Sequence, residues 1–571
     1  MKNRWNDAEA AEYENDLLAM RVYTSRLLGQ EPQLVLHGGG NTSVKANSTD
    51  FFGETVETLF VKGSGWDLAT IEKPGFAPER LDALKRLASF DSLSDSDMVE
   101  QQRIALLDSK APNASVEAIL HANIPYRFVD HTHANAVLSV TNTANGEERI
   151  HELYGDRVIV IPYVMPGFAL AKLVFEMTRE LDWDRYEGMI LMNHGVFTFS
   201  DSAKESYERM IRLVGEAEAY LDQRDALNPA IADGDFEPLD LAALRAKVAK
   251  IRGRPVVARL DRRPEAVGYA NTPGIESFAA KGPQTPDHSI FAKRIPAILD
   301  AHPLEAIDAY ADEYQAYFDR NASPSLTCLD RAPRWAVWPG SGIVSFGLDA
   351  KNSRVIGDIA FHTSQVVQAS QALGGWNPLD EKSIFEVEYW ELEQAKLKSG
   401  KMPPPLQGRI ALIALSDPIQ QAECVSQYAQ AGAAVIAWEP SDSSTSYGDS
   451  SIYAFACDLK DDEALRLELM DAIAEFGGID ILILDTNLDA EPQKNLLDIS
   501  QPYMELGIDP AIVWLGERND IDLESSRFST IAIDASTAKS VYFTAAQKSE
   551  TPIAQAKIAD LAVVATTRIG R

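Results

Sequence analysis

The chain has 571 residues and carries 85 acidic against 53 basic side chains, a formal charge of -32. That length exceeds one ordinary core and implies several domains, while 45% hydrophobic and 24% charged residues match ordinary globular usage. The charge excludes nucleic acid and anionic membrane surfaces as partners over most of the surface, though not a small anion in one cleft.

Residues 1 to 30 read as an amphipathic helix ending near Gly29, followed by an apolar strand QLVLH and the glycine run Gly38 to Gly40. A strand TLFVK runs into Gly63-Ser64-Gly65, and RFVDHTHANAVLSV reads as a strand with histidines in its middle. VIVIPYV, a helix near 169 to 180, the strand GMILMNHGVFTFS and a long helix from Ala203 to Leu221 complete an α/β domain over 1 to 225. The middle region spans 226 to 398. The Pro-rich linker KSGKMPPPLQGR then marks the clearest boundary. From 409 to 571, RIALIAL, AAVIAWE, IDILILD, AIVWLG and TIAIDAS alternate with helical segments, the pattern of a Rossmann-like parallel sheet covered by helices. The fold class is therefore α/β throughout.

One internal echo crosses these boundaries. The stretch from His194 to Ser206 lays on Ser341 to Ser353 with five identities, so the middle region is either a degenerate repeat of the first domain or a coincidental strand-turn-helix. The three cysteines are far apart and read as reduced thiols. The start is acidic rather than basic and apolar, and no stretch approaches a membrane span, so a cytoplasmic location is expected.

Chemistry concentrates in the first domain. His131 and His133 share a face if they lie in a strand, and His194 follows another strand, so three neutral imidazoles can converge with a coordination position left over, as in a catalytic zinc site. Asp130 and Asn193 are the candidate acceptors that would orient the rings. Gly38 to Gly40 with Asn41, and Gly63 to Gly65, offer backbone amides to an anion. Glu117, at a helix start, is a candidate base.

LVLHGGGNTSVK, VKGSGWDLATI, SVEAILHA, DHTHANAVLSV and LMNHGVFTF, in this order over residues 5 to 225, resemble the class II aldolase/adducin family. The resemblance implies a divalent metal, zinc first, on His131, His133 and His194, with Glu117 moving the proton. It implies phosphate held by Gly40, Asn41, Ser64, Gly65 and Ser115, and a proton-donating tyrosine placed loosely at Tyr154. Val116 stands where the family has a second hydroxyl. Related aldolases place active sites between subunits, so a homo-oligomer acting on a small-molecule sugar phosphate is expected.

The whole chain resembles a longer form, a rhamnulose-1-phosphate-aldolase-like domain followed by a short-chain dehydrogenase. In that last module Leu415, Ile419 and Gln421 stand where glycines should bare the backbone, and only Glu439 keeps a ribose-binding acid. With YxxxK spacing also missing, NAD is not expected to bind. The leading expectation is a lyase cleaving a ketose 1-phosphate such as L-rhamnulose 1-phosphate. The alternatives are an NAD-dependent short-chain oxidoreductase, a sugar-phosphate epimerase and a non-catalytic adducin-like protein.

Overall fold

The computed structural model describes residues 1–392, 402–440, 447–515, 528–534, 539–544 and 547–552. They form two compact units, each assembled from separated stretches. The first comprises Met1–Ala230, Gly274–Ile295 and Phe361–Ser399, and the second Ile231–Pro273, Pro296–Ala360 and Gly400–Arg571. The middle region is thus shared between them. Among the described residues no helix is long and apolar enough to cross a membrane.

The first unit is built on β1 (Asn41–Thr49), β2 (Thr55–Lys62), β3 (Phe76–Arg80), β4 (Phe128–Thr132), β5 (Val158–Ile161), β6 (Gly188–Leu191) and β7 (Gly195–Ser200). Their order is β3-β2-β1-β4-β7-β6-β5, antiparallel except for the parallel β5-β6 pair. Alternation along the strands supplies two cores. Ile190 and Val196 face one side with Tyr207, Met210 and Val214 of the helix Ala203–Asp222, while Met189, Leu191, Phe197 and Phe199 face the other with Ile119 and Leu170. Under the first core a buried ion pair joins Arg21 to Asp130 at 2.5 Å, and Ser206 donates to the same carboxylate.

Several elements differ from the sequence expectation. The first helix is two, Asp7–Ala11 and Leu17–Gly29. QLVLH is not a strand: Leu34 donates its N–H to the Glu31 carbonyl and Gly39 to Leu36, so a buried apolar run is folded in turns. GMILMNHGVFTFS is two strands, β6 and β7, joined by a turn in which Asn193 takes φ +56°. RFVDHTHANAVLSV ends its strand at Thr132 and becomes the helix Asn135–Thr141.

The second unit holds two sheets. β8 (Val257–Asp261), β9 (Ala297–Ile298), β10 (Trp335–Trp338) and β11 (Gly342–Gly347) lie in the order β8-β11-β10-β9. This repeats the pairing scheme β4-β7-β6-β5, parallel last pair included.

The other sheet comprises β12 (Ile410–Ala414), β13 (Ala434–Trp438), β14 (Ile452–Phe455), β15 (Ile481–Asp485), β16 (Ala511–Leu515), β17 (Ser529–Asp534), β18 (Lys539–Thr544) and β19 (Gln547–Pro552). The first six run parallel in the order β14-β13-β12-β15-β16-β17, which is the doubly wound dinucleotide-fold order, and β18 and β19 add an antiparallel edge. Arg245 and Asp480 form a buried ion pair in this unit, and Asp480 also accepts from the N–H groups of Ile410 and Ile508.

Candidate metal centre

His131 lies near the end of β4, opposite Asn41 of β1 and Phe197 of β7. Its ring stacks on Phe197 at 4.1 Å between centroids, and its Nδ1 sits 3.1 Å from the Val196 carbonyl. That contact fixes the ring with Nδ1 as donor and leaves the Nε2 lone pair available. His133 follows the strand with Nε2 3.1 Å from His131 Nε2, and His194 enters from the β6-β7 turn. The ligand atoms of all three lie within 4.8 Å of one another, and each residue is buried. Gly195 makes this approach possible, since a Cβ there would meet the Thr132 carbonyl at 2.4 Å and the rings of His131 and His133 at 3.0 and 3.1 Å.

Burial first, and the His194 imidazole next, push the pKa of His131 well below the ordinary value. Burial likewise depresses His133 to about 4 and lowers His194. Neutral imidazole is the form that binds a metal ion. Three such imidazoles are a donor set that fits a divalent cation of the zinc class, and the buried Oε1 of Glu117 beside them has no hydrogen-bond partner among the described residues.

Glu117 directly precedes the helix Ala118–Asn123 without capping it, its Oε2 3.6 Å from His131 Nε2 and its Oε1 3.8 Å from His194 Nε2. Burial raises its pKa, against the opposing pull of His194 and of a hydrogen bond from Asn41. The Asn41 amide donates to Glu117 Oε2 at 2.6 Å and to Ser115 Oγ at 3.1 Å, while its carbonyl oxygen lies 2.5 Å from His121 Nε2. Asn41 therefore orients the carboxylate instead of presenting its amide to an anion.

The expected anion loops do meet. A Cβ on Gly38 would lie 3.7 Å from Gly65 Cα, and the N–H of Ser64 bonds the Asn113 carbonyl beside Ser115. Gly40 takes φ +57°, and a Cβ there would strike the His131 carbonyl at 2.7 Å, so glycine alone suits the position. Lys62 was not singled out from the sequence although it directly precedes Gly63. It is buried, donates to the Gly38 carbonyl at 2.8 Å, and burial lowers its pKa only to about 8, so it remains a cation beside both loops.

Three expectations are corrected. Tyr154 is not brought to the histidines: it lies in the core with Ile150 and Val214, its hydroxyl donating to the Leu213 carbonyl at 2.8 Å. Asp130 is engaged by Arg21 and Ser206, and Asn193 donates to Asn142, so neither orients an imidazole. A residue not anticipated at the site comes from Gly274–Ile295. Asp287 Oδ2 lies 3.7 Å from His133 Nε2. Burial tends to raise the Asp287 pKa, but the surrounding imidazoles, His133 first, hold it below the usual carboxylate value. The half-buried Tyr163 hydroxyl has no hydrogen-bond partner among the described residues, and burial first and the Asp287 charge next push its pKa up, so it stays a donor.

In the parallel-sheet module side chains take four amides of the first turn. The N–H of Leu415 goes to Gln421 Oε1, that of Ser416 to Asp485, those of Ile419 and Gln420 to Asp417 Oδ1, and Pro418 has none. Glu439 accepts a hydrogen bond from the Tyr447 hydroxyl.

Two family models match the chain, "Class II Aldolase and Adducin N-terminal domain" over residues 20–221 and "Aldolase class II, second domain" over 237–397. A curated relative, the "uncharacterized oxidoreductase YuxG" of Bacillus subtilis (strain 168), is 30% identical over 522 residues, covering 86% of this chain and 75% of that protein. The solved N-terminal class II aldolase domain of a protein from Thermoplasma acidophilum is 40% identical, with a TM-score of 0.36, over 39% of this chain and 99% of that one. An L-fuculose-1-phosphate aldolase from Thermus thermophilus is 17% identical, with a TM-score of 0.24, over 36% of this chain and 96% of that one.

Proposed function

The chain belongs to the class II aldolase and adducin family, and from that premise we propose that it is a metal-dependent lyase. Its substrate is a ketose 1-phosphate, L-rhamnulose 1-phosphate first, cleaved to dihydroxyacetone phosphate and a hydroxyaldehyde. The observation that carries this reading is the convergence of three neutral imidazoles with a buried carboxylate 3.6 to 3.8 Å from two of them.

His131, His133 and His194 would hold the ion, zinc or another divalent metal, which supplies Lewis-acid charge to the sugar oxygens. The backbone around Gly40, Ser64 and Gly65, with the Ser115 hydroxyl and the Lys62 ammonium, receives the phosphate. Glu117 transfers the proton at the substrate's C3, and burial keeps water from competing at that carbon. Asn41 holds the carboxylate in place for that transfer. The epimerase alternative uses the same base. Hydride transfer is disfavoured because side chains take the N–H groups of Leu415, Ser416, Ile419 and Gln420 in the first turn of the parallel-sheet module.

Metal analysis with a coupled dihydroxyacetone phosphate assay over a panel of ketose 1-phosphates tests the proposal. Wild type carries about one divalent ion per chain and cleaves at least one substrate, His133→Ala loses both, and Glu117→Gln keeps the metal while turnover falls about 10²- to 10⁴-fold. Stoichiometric metal in His133→Ala removes the proposal's foundation. Light scattering showing an active monomer contradicts the homo-oligomer that belongs to the same reading.

A further inference from the structure

The wall of the site nearest His133 comes from far along the chain. Within the first unit, Gln284 donates to the Asn135 side chain at 3.2 Å and its carbonyl accepts from Asn142 at 3.1 Å. Asn135, two residues beyond His133, is itself held by Gln33 and His362. Thr285 caps the helix Pro286–Ala292 by accepting from the Asp287 N–H. These bonds fix Asp287 against the histidines, so its placement is built rather than incidental.

The two carboxylates stand on different sides of the imidazole cluster, Glu117 against His131 and His194, Asp287 against His133. Neither belongs to the compact set of ligand atoms. Their exposure differs: the Glu117 side chain is 6% accessible and that of Asp287 37%. A proton transfer at carbon calls for the closed side. A transfer at the hydroxyl of a fragment that must depart calls for the open one.

We propose that Asp287, delivered by the second aldolase domain, is the base that takes the proton of the substrate's C4 hydroxyl. This rests on the lyase reading. The hydroxyl proton passes to an Asp287 oxygen, the O–H pair becomes the second bond of the new C=O, and the C3–C4 bond breaks with its electron pair left on C3. That carbon then takes a proton from Glu117, and solvent returns Asp287 and Glu117 to their starting states. Tyr163, whose hydroxyl feels the Asp287 charge, supplies a hydrogen bond to the departing oxygen.

The half-reactions separate the two carboxylates. Exchange of the C3 hydrogen of dihydroxyacetone phosphate with deuterated water needs only Glu117, whereas cleavage needs both. Asp287→Asn keeps its metal, measured by elemental analysis, and exchanges within severalfold of wild type, yet cleaves at least about 10²-fold more slowly. Asp287→Glu recovers part of the cleavage, and Glu117→Gln loses both reactions. Wild-type cleavage by Asp287→Asn overturns the assignment, as does joint loss of metal and exchange, which would make Asp287 a holder of the metal site. Failure of wild type to exchange dihydroxyacetone phosphate overturns the lyase reading and this assignment with it. The other adverse outcomes leave the lyase reading standing.

Discussion

Replacing Asn41 by Leu removes a hydrogen-bond donor from a buried carboxylate without opening a large cavity. The Asn41 Nδ2 to Glu117 Oε2 bond, at 2.6 Å, stabilises the ionised form, and among the described residues Glu117 Oε1 has no hydrogen-bond partner that could compensate. A hydrogen bond to a charged group contributes about 1.5–3 kcal/mol. At about 1.36 kcal/mol per pKa unit, its loss moves Glu117 up by about 1–2 units. The direction adds to burial, which already holds Glu117 above the ordinary carboxylate value. Because the base must be ionised to take a proton from carbon, the acid limb of the exchange profile moves to higher pH by that amount, while the alkaline plateau stays within severalfold. Asn41→Asp, which replaces the donor by a like charge, moves the limb further. Deuterium incorporation into dihydroxyacetone phosphate, followed by proton NMR across pH, reads this directly. An acid limb in the wild-type place for Asn41→Leu, with metal content intact, refutes the assignment of Asn41 as the group that tunes Glu117.

Glu79 is fully buried, neither carboxyl oxygen has a hydrogen-bond partner among the described residues, and burial raises its pKa well above the ordinary value. The stability tied to its protonated form is complete below the unfolded pKa and is lost as pH rises toward the folded one, so Glu79→Gln raises the melting temperature more at mildly alkaline pH than at acid pH, and a pH-independent change contradicts this. Arg245→Met strands the buried Asp480 and lowers stability by about 3–5 kcal/mol in denaturant unfolding, and Asp480→Asn added to it restores part of the loss. Calorimetric titration with NAD and NADP shows no saturable binding at millimolar cofactor, and a micromolar dissociation constant that disappears when residues 409 to 571 are deleted revives the oxidoreductase reading.

The imidazole cluster was legible because its chemistry is compressed into short spacing: one dipeptide step separates His131 from His133, and a turn residue directly precedes His194. Five of the six parallel strands were legible for a similar reason, since a strand buried on both faces is written as a continuous apolar run, whereas β14, mostly outside the core, carries no such signal. QLVLH shows the limit of that signal, because Leu34 and Val35 are buried from turns as deeply as they would be from a strand. Asp287 lay beyond reach because only tertiary bonds, from Gln284 to Asn135 and Asn142, carry it to His133. Tyr154 misled because a tyrosine at the end of an amphipathic helix serves a core as readily as a site, and the Leu213 carbonyl claims its hydroxyl.

We propose that the middle region holds a second copy of the β4-to-β7 part of the first domain, without the histidine ligands. Thr198 pairs with Asp130 as Ser345 pairs with Arg259, which sets Leu260 and Arg262 at the places of His131 and His133, while Ser341 takes that of His194. The bond from Thr198 to the Ser206 carbonyl returns as the contact between Ser345 and Ser353. Gly195, whose Cβ would strike the Thr132 carbonyl, returns as Gly342, whose Cβ would strike that of Asp261 at 2.1 Å. His194 donates its N–H to the Leu191 carbonyl, and Ser341 donates to Trp338. What persists is the set of contacts that shapes the hairpin, and what is gone is every ligand. A copy relieved of its metal is under no constraint to keep its own pocket, and the stretch Gly274–Ile295, between β8 and β9, is packed with the first unit instead. The second domain would then act on the chemistry of the first through one carboxylate, Asp287, rather than through a site of its own.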